Sequence, residues 1–210
     1  MLRQSGFISY CFTLILIVSM TACSESDTAK LQALSQDAVI LAFGDSLTYG
    51  TGANFDTESY PAVLSQLSGR QVINAGIPGE ISREGLLRLD ELLTLHQPDL
   101  VVLCHGGNDL IRKLDTELLK QNLIAMIEKV RGSGAEVVML SVPKPGIFLK
   151  PSPVYKEVSS ASQVLLENDV IADIESEAHL KSDPIHPNAA GYKRLAEAVH
   201  NLLLKHGALD

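Results

Sequence analysis

Four short apolar runs, separated by stretches of helical periodicity, constrain this chain more than anything else in it. They are Val39–Phe43, Gln71–Asn74, Leu100–Cys104 and Glu136–Val142, most of them rich in Val, Ile or Leu at consecutive positions. A strand with one wet face alternates apolar and polar residues, whereas a strand buried on both faces reads as a continuous apolar run. Helix candidates lie between and after the runs. Tyr60–Leu67 carries Pro61 in its first turn, where a missing N–H costs nothing. Arg83–Leu95 holds a broad stripe of leucines, and Asp115–Arg131 carries Leu118, Leu119, Ile124, Ile127 and Val130 before ending at Gly132. The last candidate is Ala189–Leu204, ahead of Gly207. This β-α-β-α order predicts the α/β class: a three-layer αβα sandwich with a central, mostly parallel sheet. The chain has 210 residues, room for one domain with a real core. Pro143–Pro153 contains four prolines and reads as a loop. Residues 154 to 182 read as a helix, a short strand near Gln163–Leu166 and a helical piece near Ile171–Ala178.

Ligands of such sheets sit outside the carboxyl ends of the strands. That rule gathers three polar loops at one rim. Gly44-Asp45-Ser46 follows the first run, Asn74 to Gly79 the second, and His105-Gly106-Gly107-Asn108-Asp109 the third.

The first residues obey a different logic. Arg3 is the only charge before Glu25, and Leu14 to Val18 is continuously apolar. A basic start, an apolar centre and a small-residue end describe a secretory signal peptide, here residues 1–22. The uncharged span sits at the lower limit for crossing a bilayer, so an uncleaved anchor is the competing reading. Met20-Thr21-Ala22-Cys23 resembles the lipobox of bacterial lipoproteins, which implies cleavage before Cys23 and lipidation of its sulfur. Residues 23–37 then form a lipidated N-terminus and tether, and 38–210 the folded domain. By the same analogy, Ser24 points to the outer membrane or periplasm of a Gram-negative bacterium. Acyl chains on Cys23 would attach the protein to membrane. Of the three cysteines only Cys104 falls in the domain, so a monomer has no disulfide framework. Cys104, inside an apolar run, is most simply a buried small residue.

Net charge is −8, with no basic run of five or more residues and no Trp. Nucleic acid is therefore not expected as a partner, because phosphate binding needs clustered Lys and Arg and base stacking needs aromatics.

Each polar loop has a bland explanation. Gly-Asp-Ser is common in turns, and Asp183-Pro184-Ile185-His186 before Asn188 fits a helix-capping loop. Together they suggest more. Ser46 stands where a nucleophile would stand. Asp183 precedes His186 by three residues, close enough to accept from one imidazole nitrogen and leave the other free as a base. His96, His200 and His206 fall on or near helix ends away from the rim, and His179 falls in the loosely patterned segment.

Four blocks occur in order: Gly44-Asp45-Ser46-Leu47, the glycine loop ending at Gly79, Gly106-Gly107-Asn108-Asp109, and Asp183-Pro184-Ile185-His186. On these the chain resembles the SGNH hydrolases, also called GDSL lipases and esterases, over about residues 38 to 205. Asn74-Ala75-Gly76 and the run from Gln97-Pro98-Asp99 into the third strand look most like the bacterial thioesterase I, lysophospholipase and arylesterase group. The resemblance implies the flavodoxin-like fold of that family. It implies a Ser46–His186–Asp183 triad with Ser46 as nucleophile. It also implies an oxyanion hole made by the N–H groups of Ser46 and Gly79 and the Asn108 amide. A glycine at 79 leaves its N–H open to substrate. His105, ahead of the Gly-Gly-Asn-Asp block, departs from the family pattern and has no evident partner. No Gly-x-Ser-x-Gly elbow occurs.

The expected activity is serine esterase cleavage of small acyl esters or lysophospholipids, with thioesters as an in-vitro capacity, no cofactor and no metal. A carbohydrate acetylesterase would use the same chemistry. Two other classes compete. Asp45, Asn108, Asp109 and His186 could serve a metal-dependent phosphoesterase, but histidines and carboxylates at ligand spacing are too few. A ligand-binding lipoprotein without catalysis is the other. Ile147, Phe148 and Leu149 either line a groove for a modest acyl chain or pack their loop onto the core. The protein is expected to be a monomer.

Overall fold

The computed structural model describes Met1 and residues 30–146 and 149–210. Apart from Met1, the signal peptide lies outside the described residues, as do Cys23, Ile147 and Phe148. Five strands form one parallel sheet: β1 (Val39–Gly44), β2 (Gln71–Gly76), β3 (Leu100–Cys104), β4 (Glu136–Leu140) and, further along, β7 (Leu165–Glu167). Their order is β2-β1-β3-β4-β7. The central strands are the most apolar in sequence because helices cover both faces. Ile40 to Phe43 and Leu100 to Cys104 are all buried. The edge strands β2 and β7 are only partly buried, and they carry the polar Gln71, Asn74 and Glu167.

The major helices are α2 (Tyr60–Ser68), α3 (Ser82–His96), α5 (Thr116–Gly132), α6 (Pro153–Ser162), α7 (Val170–Ser176) and α8 (Ala189–Lys205). α2 packs on α8, which also meets α7; α3 packs on α5, which meets α6. These two groups are the outer layers of the sandwich. The helix starts follow capping chemistry. Ser59, Asp115 and Asn188 each accept from backbone N–H groups of the first turn.

Several expectations shift. Two short helices, α1 (Ser46–Tyr49) and α4 (Gly107–Ile111), arise inside loops. The proline-rich segment is not all loop. Pro143–Lys144 (β5) and Lys150–Pro151 (β6) pair antiparallel, and Pro153 takes the first position of α6. β4 ends at Leu140, two residues early, with the Ser141 N–H making a last bond to the carbonyl of Glu167 on β7. The strand near Gln163 begins later, since Gln163 closes α6 in a left-handed conformation with φ 50°. Leu31 and Leu34, inside the expected tether, hydrogen-bond through their N–H groups to the carbonyls of His206 and Ala208.

The strand order reverses at β1, whose neighbours β2 and β3 are reached by connections on opposite faces. Such a reversal opens a crevice at the carboxyl ends of β1 and β3. Buried tyrosines fasten its walls. Tyr155 of α6 donates to the His105 carbonyl at 2.9 Å, and Tyr192 of α8 donates to the Thr51 carbonyl at 2.8 Å. Each ring fills the core while its hydroxyl satisfies a loop carbonyl.

Candidate active site

Ser46 is the first residue of α1, at the end of β1. Asp45 caps that helix: its Oδ1 accepts from the Leu47 N–H at 3.1 Å. The Ser46 hydroxyl faces His186 Nε2 at 3.0 Å. His186 Nδ1 faces Asp183 Oδ2 at 2.7 Å. The other carboxylate oxygen of Asp183 accepts from the N–H groups of Ile185 and His186, both at 2.9 Å. Desolvation works against ionisation of Asp183, but the His186 ring and these two N–H groups outweigh it and hold the carboxyl below its usual range. The acid thus stays charged where the imidazole needs an acceptor.

The loop bearing Asp183 and His186 is fixed from both ends. Asn188 donates to the carbonyls of His179 and Lys181 while its Oδ1 caps α8. At the other side Gly52 meets it, with φ +100°. A Cβ there would lie 2.0 Å from Ser182 Oγ and 2.6 Å from the Pro187 carbonyl oxygen. Gly52 is therefore glycine because of its left-handed backbone and the close approach of the His186 loop. Gly52→Ala should push the His186 loop outward and lower kcat/KM about 10–100-fold, since roughly an ångström of misplacement costs about that much. Unchanged kinetics in a folded variant would show that the loop tolerates the methyl.

Asn108, in α4 after β3, directs its Nδ2 to the Glu80 carbonyl at 3.0 Å and, more weakly, to Asp45 Oδ2 at 3.3 Å. Gly79, at φ +82°, is held through its carbonyl by Arg112 Nη2 at 2.6 Å. Among the described residues neither the Gly79 N–H nor the Ser46 N–H has a partner. Ser46, Asn108 and His186 line one cavity of about 360 Å³; Gly79 is not among its lining residues, although the carbonyl next after it anchors Asn108. Leu47, Ile111, Val142, Pro143, Leu149 and Ile185 supply apolar wall. This set can deprotonate a hydroxyl and offers N–H donors beside it, the requirements of acyl transfer.

A sequence profile of the GDSL-like lipase/acylhydrolase family matches residues 42–194. The chain belongs to this family. It is similar to the arylesterase of Vibrio mimicus, 31% identical over 80% of this chain and 88% of the relative. It is likewise similar to esterase TesA of Pseudomonas aeruginosa, 31% identical over 86% and 96%. The thioesterase 1/protease 1/lysophospholipase L1 of Escherichia coli is 32% identical over 71% and 75%. Among solved structures, TesA superposes with a TM-score of 0.72 at 30% identity, covering 80% of this chain and 99% of that one. A psychrotrophic esterase EstA from Pseudoalteromonas, inhibited by monoethylphosphonate, also gives 0.72, at 26% identity and 80% and 98% coverage. As a GDSL-family member the chain is an ester hydrolase of the α/β fold described above.

Sequence reading missed a network behind this family site. His105 is fully buried, and its Nδ1 accepts from the Gly106 N–H at 3.0 Å. Its Nε2 therefore carries the proton and donates to Glu80 Oε2 at 3.0 Å. Arg88 grips the same carboxylate twice at 2.6 Å and reaches the Gly44 and Ala75 carbonyls. Burial opposes the Glu80 charge, yet His105 and Arg88 prevail and lower its pKa. Asp109 is occupied similarly, accepting from the N–H and hydroxyl of Ser82. Among the described residues no three His, Cys, Asp or Glu side chains are grouped to hold a metal ion. Cys104 is buried, and desolvation drives its thiol pKa well above the ordinary value, so it stays protonated.

Proposed function

We propose that the chain is a serine esterase of small acyl esters or lysophospholipids, working through Ser46, His186 and Asp183. The continuous relay from Asp183 Oδ2 through His186 to Ser46 Oγ, opening on a largely apolar cavity, carries this reading. His186 Nε2 takes the Ser46 proton as Oγ attacks the ester carbonyl. The oxyanion then meets the N–H groups of Ser46 and Gly79 and the Asn108 amide. The Glu80 carbonyl keeps one Asn108 proton; the other, held only by the long contact to Asp45, turns to the oxyanion. His186 next protonates the leaving alcohol, and water repeats the cycle on the acyl-enzyme. The mechanism calls for no cofactor.

The cavity suits an acyl chain of modest length rather than an acetyl group alone. Lysophospholipid cleavage is supported by similarity to the Escherichia coli enzyme of that name. Met20-Thr21-Ala22-Cys23 supports export, with lipidation of Cys23 tethering residues 23–37 to the outer membrane or its periplasmic side. A 24% identical relative over about half its length bears the name lipoprotein, in Bacillus subtilis. Among the described residues no helix is long and apolar enough to cross a membrane.

The test is a profile of p-nitrophenyl esters from acetate to decanoate, with and without EDTA, followed by lysophosphatidylcholine. The expected result is chelator-resistant hydrolysis peaking at intermediate length. A peak at acetate would instead identify an acetylesterase, and loss of activity in EDTA would point to metal chemistry.

A further inference from the structure

Glu175 lines the cavity and, like Lys181, is not used by the proposed mechanism. It lies on α7 and is only 6% exposed, yet it lines the same cavity as Ser46, Asn108 and His186. Among the described residues its carboxyl makes no hydrogen bond and no ion pair. Its oxygens are not among the sealed, unpartnered polar atoms of the described residues; they open on the cavity, where water or a substrate group can bond them. Two other ionisable groups that line the cavity differ in having protein partners. Asp45 is committed to Leu47 and Asn108, and His186 to Ser46 and Asp183.

The surroundings decide the state of this carboxyl. Burial disfavours its charge most, the nearby Asp183 and Asp45 add to that, and Lys181 alone opposes. Together they push the Glu175 pKa up to about 8. This favours the carboxylic acid form near neutral pH, which has one O–H to donate and a carbonyl to accept. In a cavity whose lining mixes Leu, Ile, Val and Pro with Lys181 and the catalytic groups, such a carboxyl is a polar point of the kind ligand cavities use for orientation and specificity.

We propose that Glu175 is a hydrogen-bonding subsite of the substrate cavity, recognising a hydroxyl group carried by the ester. The inference rests on the serine-esterase reading above. The hydroxyl belongs either to the acyl chain or to the alcohol, as in a glycerol or sugar ester; the chemistry recognised is the same. A site that binds a substrate hydroxyl discriminates against the analogue lacking it, because its own polar group is then left unpaired.

Two matched substrate pairs test this. One compares p-nitrophenyl 3-hydroxybutyrate with p-nitrophenyl butyrate; the other compares glycerol monobutyrate with ethyl butyrate. The readout is the kcat/KM ratio within each pair. The wild-type protein should favour the hydroxylated member of one pair by about tenfold or more, and the pair that responds places the hydroxyl on the acyl or the alcohol side. Glu175→Gln, whose amide also donates and accepts, should keep most of the preference. Glu175→Leu should level the ratio. Equal ratios in the wild type for both pairs, or a preference that survives Glu175→Leu, overturn the subsite. The wild-type comparison holds whether or not the leucine variant folds. If plain butyrates are hydrolysed without hydroxyl preference, only the subsite fails; if no ester is hydrolysed, the esterase reading fails with it.

Discussion

Ser46→Ala is expected to reduce ester hydrolysis by about 10⁴–10⁶ in kcat while leaving the fold intact. The size of the loss follows from what the hydroxyl does. No other nucleophile stands 3.0 Å from His186 Nε2, and Cys104, the free thiol of the domain, is buried and protonated. What survives would come from the N–H donors and cavity alone, which act without the covalent step. The fold should not suffer. Ser46 Oγ has His186 as its hydrogen-bonding partner, and helix α1 is capped by the neighbouring Asp45. Tm should therefore stay within about 2 °C of wild type, as for a substitution that removes no core contact. The direct check is mass spectrometry after exposure to a fluorophosphonate. Wild type should gain one phosphonyl group on the peptide containing Ser46, with loss of fluoride, and the variant should gain none. Equal labelling of both proteins would remove Ser46 from the nucleophile's role.

How much of this could be read in advance depended on where each residue sits. β1 and β3 were legible because helices cover both their faces, and such burial leaves an unbroken apolar run. The loops with Ser46 and Asn108 were legible for a related reason: a parallel sheet delivers the carboxyl ends of its strands to one rim. Asp183 and His186 sit three residues apart, so their pairing is written locally. The Glu80–His105–Arg88 network is not local. Its members are brought together by β2, β3 and α3, and Arg88 sits on a leucine-rich helix where a charge reads as solvent-facing. A trace was there all the same. Glu80 follows Gly79 in the loop after β2, and His105 follows β3 directly. Glu175 was hidden differently. The segment around α7 is short and mixes Asp and Glu with Ile and Val, so its helical period is blurred and its inward face cannot be chosen from sequence. The proline-rich stretch misled because Pro signals a loop and a first helical turn equally well, and Pro153 serves the second role.

Asp183→Asn should be nearly as damaging as loss of the nucleophile, although it removes one charge and almost no volume. The reason lies in the two carboxylate oxygens. Oδ1 accepts from the N–H groups of Ile185 and His186, and only an oxygen can take that place. The asparagine must therefore turn its NH₂ toward His186 Nδ1. An amide N–H facing Nδ1 makes that nitrogen an acceptor and moves the ring proton to Nε2. His186 then donates to Ser46 instead of accepting from it, and the base is disarmed with every atom in place. A reversal of tautomer of this kind costs about 10⁴ in kcat in serine hydrolases. Asp183→Ala supplies the contrast. It loses the orienting bond but imposes no tautomer, so it should retain more activity than Asp183→Asn. The ordering Ala above Asn, measured as kcat on p-nitrophenyl butyrate, separates control of the proton from simple loss of charge. If both variants fall equally, the carboxylate acts through its charge on the imidazolium rather than by choosing which nitrogen is free.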